Sequence, residues 1–178
     1  NASQPDVSLV AEILAREQIT RQLVERSLDI AIIFDPPKAE ELKIELLHTF
    51  ALIPVSTSSE PIASPSDVTR YIRVDWGTNF TAWHGKELKG MATPLMRTST
   101  ARIALDLMLQ CGGTAYLPDV LVEPFIEQGS LHRLDALPEF KRDVYIAYHK
   151  ENEHAQKLHA IRRMLGKEEP EAPTIIVP

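Results

Sequence analysis

Residues 26–37 read RSLDIAIIFDPP, and the order of side chains in this stretch decides the fold class. Its centre, Leu28 to Phe34, is a short apolar run rich in Ile, closed by the turn formers Asp35, Pro36 and Pro37. Apolar residues at consecutive positions over so short a span predict a strand buried on both faces of a parallel sheet. Upstream, Arg16 to Arg26 reads as a helix, with Ile19 and Leu23 one turn apart and Glu17 placed to pair with Arg21. Before it, Val7 to Leu14 (VSLVAEIL) is aliphatic and β-branched enough for a strand. Strand, helix, buried strand and loop in that order predict an α/β fold, in which ligands gather at the carboxyl ends of strands.

The pattern continues downstream. Ile44 to Val55 (IELLHTFALIPV) is a longer extended segment that reads as one strand leaving a first lobe and entering a second. Ser56 to Asp67 is loop by composition. Tyr71 to Asp75 and Leu95 to Thr98 are strands, and each is followed by a helix: Phe80 to Leu88 with Asn79 as the expected N-cap, and Ala101 to Cys111 capped by Ser99 or Thr100 and closed by Gly112. The second of these helices is apolar almost all round, which predicts deep packing or cover by another subunit. Thr114 to Leu117 is a strand, followed by a helix that stops at Gly129. Leu131 to Leu134 and Val144 to Tyr148 are further strands, and a last helix is expected from Asn152 to Gly166.

Composition bounds the function. In 178 residues, 44% are hydrophobic and 25% charged, the balance of an ordinary globular protein. The net charge of −6 comes without a basic cluster, so this segment by itself is not expected to hold nucleic acid. One cysteine, Cys111, excludes an intrachain disulfide and a cysteine-based metal centre. A reducing, cytoplasmic setting is expected. No apolar run is long enough to span a bilayer, and no membrane partner is expected. No signal peptide is read, and because the chain starts at Asn1 without Met an upstream part is expected to have been cut away.

The search for chemistry finds no catalytic constellation. The six histidines include no HExxH, and the Glu151–His154 spacing lacks the second pair that a di-iron site needs, so they read as surface or structural residues and no metal or cofactor is expected. No GxSxG, GxGxxG or GK[ST] occurs. Cys111 ends an apolar helical stripe and reads as packed. What recurs is a helix N-terminus straight after a strand or at a turn: Arg16–Glu17, Thr78–Asn79, Ser99–Thr100 and Asp119. Each offers free backbone N–H groups and together they suit a small polar ligand, an anion among the candidates. Asp35, Asp75 and Asp119 at strand ends are equally suited to an amino group.

These residues resemble a known family. QLVERSLDIAIIF (Gln22–Phe34) resembles the L-x-x-x-x-LD-[LI]-A-[IL] segment of LysR-type transcriptional regulators. The run from Ser99 through CGGTAYLPDVLVEPFIEQGSLHRL resembles that family's helix, G-x-A-x-LP strand, helix and G-x-L turn, and YIAYHK matches its last strand in position. The likeness spans Pro5 to Leu165 in the right order.

The resemblance implies an effector-binding domain of two Rossmann-like α/β lobes joined by two crossover segments, like type 2 periplasmic binding proteins. Lobe one would be residues 1–53 plus 145–178, and lobe two residues 54–144. By position, the ligand contacts it implies are Ala15, Arg16, Asp35, Thr78, Asn79, Ser99, Thr100 and Pro118. The implied partners are a small-molecule effector, DNA only through an N-terminal winged helix-turn-helix absent here, and further copies of the same protein. The family's first effector-domain strand and helix are also expected to be missing, with Ala15–Arg16 where many members carry a small hydroxyl residue after the next strand. That gap predicts unpaired sheet edges, filled by an upstream segment or by Thr174 to Val177, and a weakened antiparallel dimer. The alternative is a transporter's solute-binding protein with the same fold, and an enzyme on a doubly wound fold ranks third for want of a base–nucleophile pair.

Overall fold

A computed structural model describes residues 10–152. The chain divides into two compact units, the first up to Leu47 and again from Ile146, the second His48–Tyr145. It passes from one to the other within two long strands, β2 (Leu42–Ser56) and β7 (Phe140–His149). The expected last helix and Thr174 to Val177 lie outside the described residues.

In the first unit, α1 (Arg16–Val24) buries Leu23 completely beneath Ile19 and Leu28. Ala15 has no polar side chain to cap the helix, but its own N–H donates to Gln18 Oε1 at 3.1 Å. Arg26, with φ 60°, ends the helix in the left-handed region, and Ser27 N–H returns to Gln22 O at 3.0 Å. Leu23, Ala31, Leu42 and Ala147 form the small core of this unit. β1 (Ala31–Ile33) pairs with β7, which in turn pairs with β2.

Two expectations fail here. The strand read over Leu28–Phe34 is only three residues long, and it is not buried on both faces: Ile32 is 50% exposed and Phe34 36%. Its apolar run serves one face and the turn beside it. Of the strand read over Val7–Leu14, the described part from Val10 has no strand structure, and Val10 and Ile13 are 86% and 94% exposed. β propensity alone does not make a strand, because the ladder must find donors and acceptors on a neighbour.

The second unit holds the larger core. β2 runs antiparallel to β5 (Thr114–Pro118), from Leu52 opposite Pro118 to Ser56 opposite Thr114. On its other edge the end of β2 pairs with the short β6 (His132–Arg133). Pro54 has no N–H to give, but its carbonyl accepts from Leu134 N–H at 3.0 Å. β3 (Ile72–Val74) lies parallel to β4 (Met96–Thr98), and a parallel bridge from Tyr71 to Thr114 joins β3 to β5. Gly113 makes that junction possible: at φ 151°, a Cβ on it would stand 2.9 Å from Arg70 O.

Three helices cover these strands: α2 (Thr78–Glu87), α3 (Ala101–Cys111) and α4 (Asp119–Glu127). α3 buries Ala104, Leu105 and Met108 completely, yet Ile103 is 48% and Leu109 40% exposed. Within this chain α3 is therefore packed on one face only. Cys111, expected to be packed, is exposed: it continues the stripe of Ala104 and Met108 but stands at the very end of α3. On α2, Phe80 and Trp83 meet Tyr116 and Phe140 in an aromatic cluster, with Phe80 and Phe140 centroids 5.4 Å apart. Edge and tilted geometries of this kind add to area burial.

Candidate ligand-binding site

β3 and β4 end side by side, with Val74 opposite Thr98. Beyond that register Asp75 N–H donates to Thr98 O at 2.8 Å. Each strand then turns through its own side chain. Asp75 Oδ1 accepts from Gly77 N–H at 3.0 Å, and Thr98 Oγ1 from Thr100 N–H at 3.2 Å. Such side-chain-closed turns fix where the following helices start. Gly77 has φ 89°, so a residue without Cβ reverses the chain into α2.

Within the second unit these turns border a cavity of about 400 Å³, lined by Arg73, Asp75, Thr81, Arg97, Thr98 and Ser99. That volume is in the range of small-molecule sites. Arg73 and Arg97 are direct partners on the parallel strands, so both side chains leave the same face. Arg73 Nη2 donates to Thr81 Oγ1 at 3.3 Å, tying the strand to α2.

Behind the arginines is a buried polar pair. Tyr71 OH and His84 Nε2 are 3.0 Å apart, and their rings stack with centroids 5.6 Å apart. Burial, then the charges of Arg73 and Arg97, push the His84 imidazolium down to about 4. Burial raises the Tyr71 phenol, partly offset by the same two arginines. Both groups are therefore neutral at pH 7, and the field that acts on them comes from the cavity side. Among the described residues no group of three or more His, Cys, Asp or Glu is placed to hold a metal.

Of the residues picked from sequence, Ser99 lines this cavity, and its neighbour Thr100 is the half-buried N-cap of α3 without a side-chain cap bond. Thr78 and Asn79 lie exposed in the first turn of α2. Asn79 is not the N-cap: Gly77 is, since the entry needs positive φ. Pro118, partly buried, ends β5 directly before α4. Ala15 and Arg16 start α1, both exposed, and Asp35, partly buried, follows β1; all three belong to the first unit. Sequence reasoning passes over Arg73, Thr81 and Arg97. The available signal is an arginine in the middle of each of two short strands, Ile72-Arg73-Val74 and Met96-Arg97-Thr98.

Comparison with known proteins gives a consistent result. The family model of the LysR substrate binding domain matches residues 1–169. The HTH-type transcriptional regulator HdfR of Yersinia pestis is 31% identical over 125 residues, 65% of this chain and 43% of that protein. The chain thus spans less than half the length of these relatives, which are named transcriptional regulators. Among solved structures, the apo regulatory domain of HypT from Salmonella typhimurium superposes with a TM-score of 0.74 at 15% identity, covering 90% of this chain and 83% of that one. Vibrio fischeri DarR, solved in complex with DNA, gives 0.69 at 17% identity over 88% of this chain and 57% of that one. The α/β fold is that of the LysR regulatory domains, with their likeness to type 2 periplasmic binding proteins, and the chain belongs to the LysR substrate-binding domain family.

Proposed function

We propose that this domain senses a small-molecule effector and passes its presence to the DNA-reading part of a LysR-type transcriptional regulator. The observation that carries the reading is the 400 Å³ cavity at the carboxyl ends of β3 and β4, lined by charged and hydroxyl side chains, in a chain of a substrate-binding family. Strand carboxyl ends are where α/β folds place ligands. The relatives' names add the rest: HdfR is called an HTH-type regulator, and DarR was solved on DNA. DNA recognition through an N-terminal winged helix-turn-helix, assembly of several copies and a cytoplasmic setting belong to this proposal. Among the described residues no helix is long and apolar enough to cross a membrane.

Ser99 and Thr100 are the proposed ligand contacts nearest the cavity; Ala15, Arg16, Asp35, Thr78, Asn79 and Pro118 are proposed from the family's pattern. An effector works here by favouring one of two arrangements of the domain, in proportion to its differential affinity for them. A thermal-shift panel of amino acids, carboxylates and other metabolites tests the reading. A compound at a hundred times its dissociation constant adds about 2.7 kcal/mol of stability. Ser99→Ala and Thr100→Ala should reduce that shift, and the same compound should alter operator binding by a regulator carrying this domain. A panel without any shift, or a stabilising compound that leaves operator binding unchanged, refutes it.

A further inference from the structure

We propose that the cavity beside β3 and β4 takes a ligand through an oxyanion group, gripped by the paired guanidinium groups of Arg73 and Arg97. This rests on the effector-sensing reading above and names the chemistry of the same site.

The first argument is placement. Arg73 and Arg97 are opposite one another on adjacent parallel strands, whose axes are about 4.8 Å apart. Like charges directly opposite on one sheet face destabilise the pairing. Such a pair is ordinarily relieved by a carboxylate. Among the described residues none lies within ion-pair distance of either guanidinium, although Asp75 borders the same cavity. The ion pairs of Arg26, Lys43, Lys86, Arg102 and Arg133 involve neither arginine. Both arginines line the cavity, Arg73 half-buried and Arg97 exposed.

The second argument is preorganisation. The Thr81 hydroxyl accepts from Arg73 Nη2 at 3.3 Å, which orients that guanidinium and leaves its other donors for a ligand. Guanidinium groups match carboxylate, sulfate and phosphate oxygens in a planar fork. Thr98 and Ser99 add hydroxyl groups at the rim. Asp75, with Oδ1 engaged by Gly77 N–H, places a carboxylate at one side of the cavity. It disfavours a second anionic group on the ligand, so one oxyanion per molecule fits the site better than two.

The probes are acetate and succinate for planar carboxylates, and sulfate and inorganic phosphate for tetrahedral oxyanions. Each is titrated at fixed ionic strength onto the 178-residue chain and its Arg97→Gln and Arg73→Gln variants, reading the melting temperature. At least one probe should stabilise the wild type saturably, acetate more than succinate if Asp75 repels a second anionic group, and each variant should weaken binding about tenfold or more. Without any probe, Arg97→Gln should melt no lower than the wild type, because it removes the repulsion. Equal shifts in wild type and variants, or a lower melting temperature for Arg97→Gln alone, overturns the proposal. A panel of uncharged metabolites runs beside these probes. Stabilisation by an uncharged compound that survives Arg97→Gln overturns the oxyanion chemistry while leaving effector sensing in place; no stabilisation by either class overturns both.

Discussion

His84 ties the core of the second unit to pH. Its side chain is 7% exposed, bonded to Tyr71 OH and stacked on that ring, and it is held neutral down to about 4 against 6.5 in an unfolded chain. Between those values the unfolded chain binds a proton that the folded one does not. Stability from this residue is therefore full above about pH 6.5 and falls as pH drops towards 4. Below that both states are protonated and the loss is complete. Each pKa unit is worth about 1.36 kcal/mol, so the ceiling is about 3 kcal/mol, and solvent screening of the arginine charges lowers it to about 2 kcal/mol. Urea unfolding followed by the fluorescence of Trp76 and Trp83 reads this directly, since both indoles belong to the same unit. Wild type should lose about 2 kcal/mol more than His84→Gln between pH 7 and pH 4.5. Carboxylates that also titrate in this range are common to both proteins and cancel in the difference. Parallel stability curves for the two would refute the assignment of a buried, neutral imidazole.

Two core predictions use the same assay. Gly113→Ala should lower stability by more than about 1 kcal/mol, because Cβ would meet Arg70 O at 2.9 Å and φ 151° suits glycine alone; an unchanged urea midpoint would show that the β3–β5 junction is looser than described. Leu117→Ala, at a residue with no exposure, should lose about 2–5 kcal/mol, whereas Leu109→Ala, 40% exposed, should stay within about 0.5 kcal/mol. Similar losses from both would mean that the outer face of α3 is covered.

Much of the element order is legible in the amino-acid sequence. The helix over Ala101–Cys111 begins and ends where its apolar spacing and Gly112 put it. β3, β4 and β5 lie within a residue of their β-branched or apolar runs, and the extended segment around Ile44–Val55 is a single strand. These signals are local, set by helical or strand spacing and by turn residues within a few positions. The α/β class and the family likeness follow from them, and Ser99 stands out as the residue between a strand and a helix.

Tertiary structure alone decides the rest. A strand exists only where another strand supplies hydrogen-bond partners, which is why the apolar stretch through Val10–Leu14 forms none and the run around Ile30 gives only Ala31–Ile33. Cys111 shares the stripe of Met108, but its exposure depends on what covers the end of α3. Gly77 displaces Asn79 as N-cap because the turn out of β3 requires positive φ. The Arg73–Arg97 pair is beyond reach of any local pattern. Each arginine reads on its own as a solvated interruption of a strand, and only the parallel register of β3 and β4, with α2 between them in sequence, sets the two charges against one cavity. Spacing along the chain fixes what a segment prefers to be; pairing between segments fixes which side chains meet.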